Sequence, residues 1–244
     1  MNLLLDLGNS RLKWALYDNT TLIENGKSLP HNELTTANLT HLWRDLQPTK
    51  IGISCVGKTS LLRCIEVVIN HLWGNTVVCF HAQTQLAAFD VYNGYQHPEK
   101  LGVDRWLALL AARQKTHTHI CIVDCGTAIT VDIVNAQGQH EGGLICAGLQ
   151  LMQNALACHT ADLPFLTQTE KVGLATNTTT AIYSGTLFAA CGLIERVMEK
   201  QPPNTTLFLT GGDAPLLASQ LNCPCTIEAE LVLQGLALTL QACE

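Results

Sequence analysis

The sequence predicts an α/β fold made of two similar halves. Three observations point there. Strand-like and helix-like runs alternate along the 244 residues, one strand–turn–strand segment occurs twice, and its two copies stand about half the chain apart. Strand-like runs fall near 2–6, 12–18, 51–56, 76–80, 119–124, 128–134 and 206–210. Helix-like runs fall near 35–46, 60–72, 101–115, 149–158, 178–199 and 228–241. In 178–199 the apolar residues Ile182, Leu187, Cys191 and Ile194 make an approximately helical stripe. Polar or glycine- and proline-rich breaks at 25–32, 93–99, 135–143 and 201–205 separate these runs.

Composition bounds the function. Apolar residues make up 47% and charged residues 14%, which excludes a disordered chain. A chain of this length buries roughly 70% of its unfolded surface, so it needs no covalent staples. The net charge is −6 and no Lys/Arg cluster occurs, which argues against a nucleic-acid partner. No apolar run approaches the ~18 residues of a membrane span. Leu3-Leu4-Leu5 is stopped by Asp6 and lacks the flanks of a signal peptide. The expectation is a soluble, cytoplasmic protein with no membrane partner. The eleven cysteines form no C-x-x-C. Cys121 and Cys125 flank a strand-like run, and Cys223-Pro224-Cys225 is too tight for usual zinc spacing, so the cysteines read as reduced, buried filler. The nine histidines form no H-x-x-x-H or H-E-x-x-H pattern, and no G-x-S-x-G occurs.

The repeated segment carries the chemistry. Residues 3–16 and 121–134 each read as an apolar strand, then Asp-x-Gly-[Asn/Thr]-[Ser/Ala], then a returning strand. Such a duplication predicts two similar domains, 1–117 and 118–244, facing each other across a cleft. The glycine allows a close backbone approach that a Cβ would block. The following Asn9/Ser10 or Thr127 offer donors, and a turn of this kind can cradle phosphate oxygens without a helix N-terminus. A strand-end aspartate can hold a hydrated cation against those phosphates. Lys13, on the returning strand, could reach a phosphate.

A competing motif is present. Gly52-Ile-Ser-Cys-Val-Gly57-Lys58-Thr59 fits the Walker A pattern letter for letter, and Ile120–Asp124 resembles a Walker B strand. Its context differs: a P-loop follows a buried strand, whereas here the x positions Ile53–Val56 are themselves strand-like. A P-loop NTPase using Lys58 and Asp124 therefore stands as one alternative. A non-catalytic nucleotide-binding regulator is another.

Four segments in order resemble the type III pantothenate kinase family. Asp6-Leu7-Gly8-Asn9-Ser10-Arg11-Leu12-Lys13 is similar to its first phosphate motif, and Gly102-Val103-Asp104-Arg105 to its G-x-D-R pantothenate motif. Asp124–Asp132 is similar to its second phosphate motif, and Gly211-Gly212 to its adenosine-side motif. Asn93-Gly-Tyr95 and Asn177-Thr178-x-x-Ala-Ile182 also fit, so the resemblance covers the whole chain. Ser10 stands where many members have Thr, and Ala147 replaces the Pro of a G-G-x-I-x-P-G segment, at some loss of turn rigidity.

The resemblance implies the acetate and sugar kinase/Hsp70/actin superfold: two ribonuclease-H-like domains, ATP in the cleft, and a homodimer. It implies phosphorylation of pantothenate on its primary hydroxyl, the first step of coenzyme A synthesis, with Mg²⁺ and a monovalent cation, K⁺ or NH₄⁺. On it, Asp104 is the general base. Arg105, with its planar fork, holds the substrate carboxylate or phosphate. Residues 6–13 with Thr127, Gly211 and Gly212 bind ATP. Tyr95, Thr178 and residues 102–105 bind pantothenate. Asp6 orients Mg²⁺, directly or through water, and Asp124 ligates the monovalent cation. Asp132, at the motif's end, reads equally as a strand-end residue.

Overall fold

The computed structural model describes residues 1–23, 26–159 and 172–242. The chain runs β1 (Asn2–Leu7), β2 (Arg11–Tyr17), β3 (Lys27–Pro30), α1 (Thr36–Trp43), β4 (Lys50–Cys55), α2 (Thr59–Trp73), β5 (Val78–His81), β6 (Ala87–Ala88), β7 (Val91–Tyr92) and α3 (Val103–Lys115). It continues through β8 (Ile120–Cys125), β9 (Ala128–Val134), β10 (His140–Ala147), α4 (Leu149–His159), α5 (Thr178–Met198), β11 (Thr206–Thr210), α6 (Ala214–Ala218), β12 (Thr226–Ile227) and α7 (Leu231–Gln241).

Two compact units result: Met1–Lys115 with Glu230–Glu244, and Thr116–Ala229. The expected halves, 1–117 and 118–244, are corrected at the C-terminus, because α7 belongs to the first unit. Its apolar side, with Leu231, Leu233, Leu236 and Leu240 buried, packs on β1, β4 and α3. Gly235 lets it do so, since a Cβ there would collide with the Leu107 backbone of α3. Gly52 of β4 serves the same contact, as a Cβ on it would press on Leu236 at 3.2 Å.

The first unit holds a five-stranded sheet ordered β3-β2-β1-β4-β5. β1 pairs antiparallel with β2 and parallel with β4. All six residues of β1 are buried, as expected of a central strand covered on both faces. Leu3, Leu5, Leu7, Leu12, Trp14, Ile51 and Ile53 face a core closed by α1 and α2. In it Trp14 meets Trp43 edge-on at 6.2 Å and Trp43 stacks on Trp73 at 6.4 Å. Thr35 caps α1, its hydroxyl accepting from the Asn38 amide at 3.2 Å.

The second unit repeats the plan. Its sheet is ordered β10-β9-β8-β11-β12, again with two antiparallel pairings and then two parallel ones. Cys121, Val123, Cys125, Ile129, Val131, Leu207 and Leu209 face a core with α5 residues Leu187, Cys191 and Ile194. Burial pushes the Cys121 thiol up to about 12 and the Cys191 thiol up to about 11, so both are protonated filler at neutral pH. α5 is long and apolar enough to cross a membrane by length and composition, and seven of its residues are buried.

Strand β3 falls in, and β10 begins in, segments read from the sequence as breaks, 25–32 (of which Asn25 lies outside the described residues) and 135–143. Both are edge strands, where polar residues and glycines are tolerated because one side of the ladder is unpaired. The two-residue β12 and the five-residue α6 are too short to leave a periodic signal.

Candidate active site

The first Asp-x-Gly turn sits at the C-terminal end of β1. Asp6 lies on the sheet face away from the α1/α2 core, directly opposite Lys13 on β2 and beside Ser54 on β4. Asp6 is 7% exposed and Ser54 is fully buried, and the Ser54 hydroxyl donates to Asp6 Oδ1 at 2.9 Å. That bond orients the carboxylate. The turn is closed by the Gly8 amide donating to the Arg11 carbonyl at 3.0 Å, and the amides of Val56 and Gly57 both donate to the Leu7 carbonyl at 3.0 Å. Arg11 leans away along β3, its Nε donating to Ser28 Oγ at 2.5 Å.

This geometry rules out the P-loop reading. Gly52 is a buried residue within β4, not the start of a loop, and Lys58 is an exposed N-cap of α2. Gly57 has a different task. A Cβ there would come 2.5 Å from the Gly8 carbonyl, so its bare backbone lets the end of β4 brace the Asp-x-Gly turn.

The same unit carries the G-x-D-R segment at the start of α3. The Arg105 amide donates to Asp104 Oδ1 at 2.8 Å. A Cβ on Gly102 would stand 2.5 Å from that oxygen, which is why glycine precedes the aspartate by two. The Arg105 side chain is buried, lies with its guanidinium carbon 5.5 Å from the Tyr95 ring centroid, and donates from Nη1 to the Tyr95 hydroxyl at 2.7 Å. Tyr95 and Arg105, ten residues apart, therefore form one fixture beside Asp104.

In the second unit Asp124 is the penultimate residue of β8, opposite Thr130 on β9 and beside Thr210 on β11. The Gly126 amide donates to the Ala128 carbonyl at 3.2 Å, and exposed Thr127 tops the turn. Gly148 braces it, its amide donating to the Thr127 carbonyl at 2.9 Å. Ala147 is the last β10 residue and pairs with Ala128, so the ladder holds this segment without the family's proline. Gly211, at φ +90°, follows β11. A Cβ on it would come 2.5 Å from the Cys125 carbonyl and would also strike Asp124 Oδ1. Gly212 follows, and then Asp213, whose amide donates to the Cys125 carbonyl at 3.0 Å. Partial burial raises the Asp213 carboxyl above its usual range.

Asp132 lies two residues beyond Thr130 on the same strand face. It is buried against His140, Nε2 to Oδ1 at 2.9 Å, so it is spent on a pair within the sheet. Thr178 opens α5, whose N-cap Asn177 accepts from the Thr180 amide at 2.9 Å. It lines a hollow of about 990 Å³ with Met152, Leu156 and Ile182. Ser54 and Asp213 were not singled out by sequence reasoning. Ser54 is found only through the parallel register of β4 on β1. Asp213 had a signal, an acidic residue directly after the glycine pair.

No group of three or more His, Cys, Asp or Glu gathers as a metal cage among the described residues. Single strand-end carboxylates fit a different kind of ion, one held mainly by water and by a ligand's phosphates, which is how Mg²⁺ usually binds.

Two five-stranded sheets of matching order, each with an aspartate near the end of its central strand, give the two-domain fold shared by acetate and sugar kinases, Hsp70 and actin. Solved structures support that fold. One from Campylobacter jejuni, described as a Baf family transcriptional activator, matches with a TM-score of 0.62 at 21% identity over 98% of both chains. A protein from Sinorhizobium meliloti described as a 2-dehydro-3-deoxygalactonokinase matches with a TM-score of 0.57 at 12% identity, over 100% of this chain and 99% of that one. The model of the type III pantothenate kinase family matches residues 2–200. Relatives named type III pantothenate kinase are 35% identical in Nitrosococcus oceani, over 97% of this chain and 92% of that protein, and 36% identical in Chromobacterium violaceum, over 97% and 98%. The chain belongs to the type III pantothenate kinase family.

Proposed function

We infer that this protein transfers the γ-phosphate of ATP to the primary hydroxyl of pantothenate, the first committed chemistry of coenzyme A synthesis. The observation that carries the reading is the Asp104–Arg105–Tyr95 fixture standing in the same unit as the Asp6 turn. One unit thus carries a carboxylate able to take a proton, a cation able to hold an acidic substrate, and a hairpin of the kind that can cradle phosphates.

Each side chain has a task. Asp104 takes the hydroxyl proton as the substrate oxygen attacks the γ-phosphorus. Arg105 grips the pantothenate carboxylate, with Tyr95 and Thr178 as further pantothenate contacts. The turn residues Gly8, Asn9 and Ser10, with Lys13, hold the nucleotide phosphates, joined by Thr127, while Gly211 and Gly212 serve the adenosine side. Asp6, held by Ser54, would carry Mg²⁺ directly or through water, and Asp124 would carry K⁺ or NH₄⁺. Those cations supply charge neutralisation for the transferring phosphoryl group. Transfer through a loose transition state asks the protein mainly for positioning, which rigid strand ends and braced turns provide.

We also propose a homodimer and a cytoplasmic location. The dimer is supported by apolar side chains left outside on the second unit: Leu144 and Ile145 on edge strand β10, Leu151 and Leu156 on α4, and Phe188 on α5, between 41% and 64% exposed. A sedimentation mass of one chain at micromolar concentration would contradict it. The enzymatic reading is tested by coupled ADP release with pantothenate, with and without potassium. Turnover that needs pantothenate and rises with potassium is expected. ATP hydrolysis indifferent to pantothenate would overturn it.

A further inference from the structure

We infer that Asn93 is a positioning residue that latches Tyr95 against Arg105 and so sets the enzyme's grip on its acidic substrate. The inference rests on the reading above that Tyr95 and Arg105 contact pantothenate.

The segment leading to Tyr95 has little regular structure of its own. It is a two-stranded ribbon, β6 and β7, closed by Phe89 and Asp90, with φ +50° and +60°. Two successive left-handed residues make the turn type that favours asparagine and glycine, so a phenylalanine there is strained. Something else must hold the loop. Val91 plugs it into the core with no exposure, and Gln114 of α3 donates to the Phe89 carbonyl at 3.4 Å. Asn93 adds a third hold.

Asn93 is 6% exposed, and its amide group ties three points of the loop together. Nδ2 donates to the carbonyls of Gln85 at 3.2 Å and Pro98 at 3.3 Å, while Oδ1 accepts from the Tyr95 amide at 3.0 Å. Its backbone amide also donates to the Leu86 carbonyl at 2.8 Å. One side chain thus joins the loop's entry, the Tyr95 backbone, and the Pro98–Lys100 turn that leads into Gly102. A buried primary amide is the group that offers two donors and an acceptor at once. Leucine or aspartate could not replace all three bonds. Tyr95 then delivers its hydroxyl to Arg105 at 2.7 Å, fixing the guanidinium fork. A fork held in place loses less entropy on binding a carboxylate than one free to rotate.

The test is a double-mutant cycle in the full chain, read as KM and kcat for each substrate. Asn93→Ala should raise the pantothenate KM roughly tenfold, the size of a lost hydrogen bond to a charged group. The ATP KM and kcat should stay within about twofold, because substrate grip is lost equally in ground and transition states. Tyr95→Phe should raise the same KM, and adding Asn93→Ala to it should cost less than a further twofold, since the path through the tyrosine hydroxyl is already cut. Additive effects, an ATP KM that rises equally, or an unchanged pantothenate KM in Asn93→Ala would overturn the proposal. A pantothenate KM unmoved by Tyr95→Phe would instead remove the reading of this loop as a substrate site. Should Asn93→Ala fail to fold, Asn93→Asp keeps the acceptor for Tyr95, loses both carbonyl bonds, and runs the same cycle.

Discussion

The two Asp-x-Gly hairpins share a topology and differ in length and in the residue facing the aspartate, and the difference underlies the separate roles proposed for them. In the first, four residues lie between the paired Leu7 and Leu12, and in the second, three lie between Cys125 and Ile129. The shorter turn shifts the register, so Asp6 faces Lys13 while Asp124 faces Thr130. Aligned by sequence alone, Lys13 would instead match Val131. The bracing differs too: the carbonyl after the aspartate accepts from the Val56 and Gly57 amides in one unit and from the Asp213 amide in the other. The first hairpin thus sets a carboxylate opposite a lysine across the strands, the arrangement proposed above to hold a phosphate chain with its magnesium. The second sets its aspartate opposite a threonine instead, which is the ground for proposing it above as the monovalent-cation side.

The comparison is broken most sharply at what has no twin. α3 carries Asp104-Arg105 in its first turn after Val103, whereas α7, which follows the last strand of the second sheet as α3 follows the last of the first, opens after Glu230 on Leu231-Val232. Asp104→Asn should lower single-turnover phosphorylation by about 10², the lower part of the usual range for a general base, and leave ATP affinity alone. A wild-type rate would reduce Asp104 to an anchor of the helix start.

Lys13→Thr gives the first hairpin the pairing of the second. We expect the ATP KM to rise roughly tenfold, as for a charge-assisted phosphate contact, with an unchanged thermal midpoint because Lys13 is only half-buried. If ATP binds that variant as tightly as wild type, the two hairpins are not specialised by this residue.

A smaller effect is expected at the other hairpin. Asp124→Asn should flatten the potassium titration of the rate, since a neutral amide holds a monovalent cation less well. An unaltered titration takes Asp124 out of the cation site. Smallest of all, Lys58→Ala should keep activity within a few-fold, because Lys58 caps α2 on the surface and Gly57, not the lysine, braces the turn. Loss of nucleotide binding there would revive the P-loop reading.

How much of this was legible followed from how local each signal is. Strands β1, β8, β9 and β11 announced themselves because central strands are apolar on both faces, and the aspartates were conspicuous for interrupting them. β3 and β10 were not legible, because an edge strand needs no such composition. The Walker pattern, set aside on context in the sequence, is matched in its letters because Gly57 serves another purpose, the close approach of two backbone segments. Tyr95 and Arg105 were each named as site residues, while the bond between them and the latch at Asn93 depend on how a loop of weak intrinsic structure is folded back.

By itself the sequence determined the α/β class, the duplication, the two turns and the order of the motifs, because hydrophobic period and turn chemistry act over a few residues. Only the tertiary structure decided which carboxylate has an ammonium opposite it, that Ser54 orients Asp6, and that α7 returns to the first unit against Gly52 and Leu107. Those depend on strand register and helix packing, where partners far apart in the chain meet. A one-residue difference in a turn, which barely changes the sequence pattern, exchanges a lysine for a threonine opposite the aspartate.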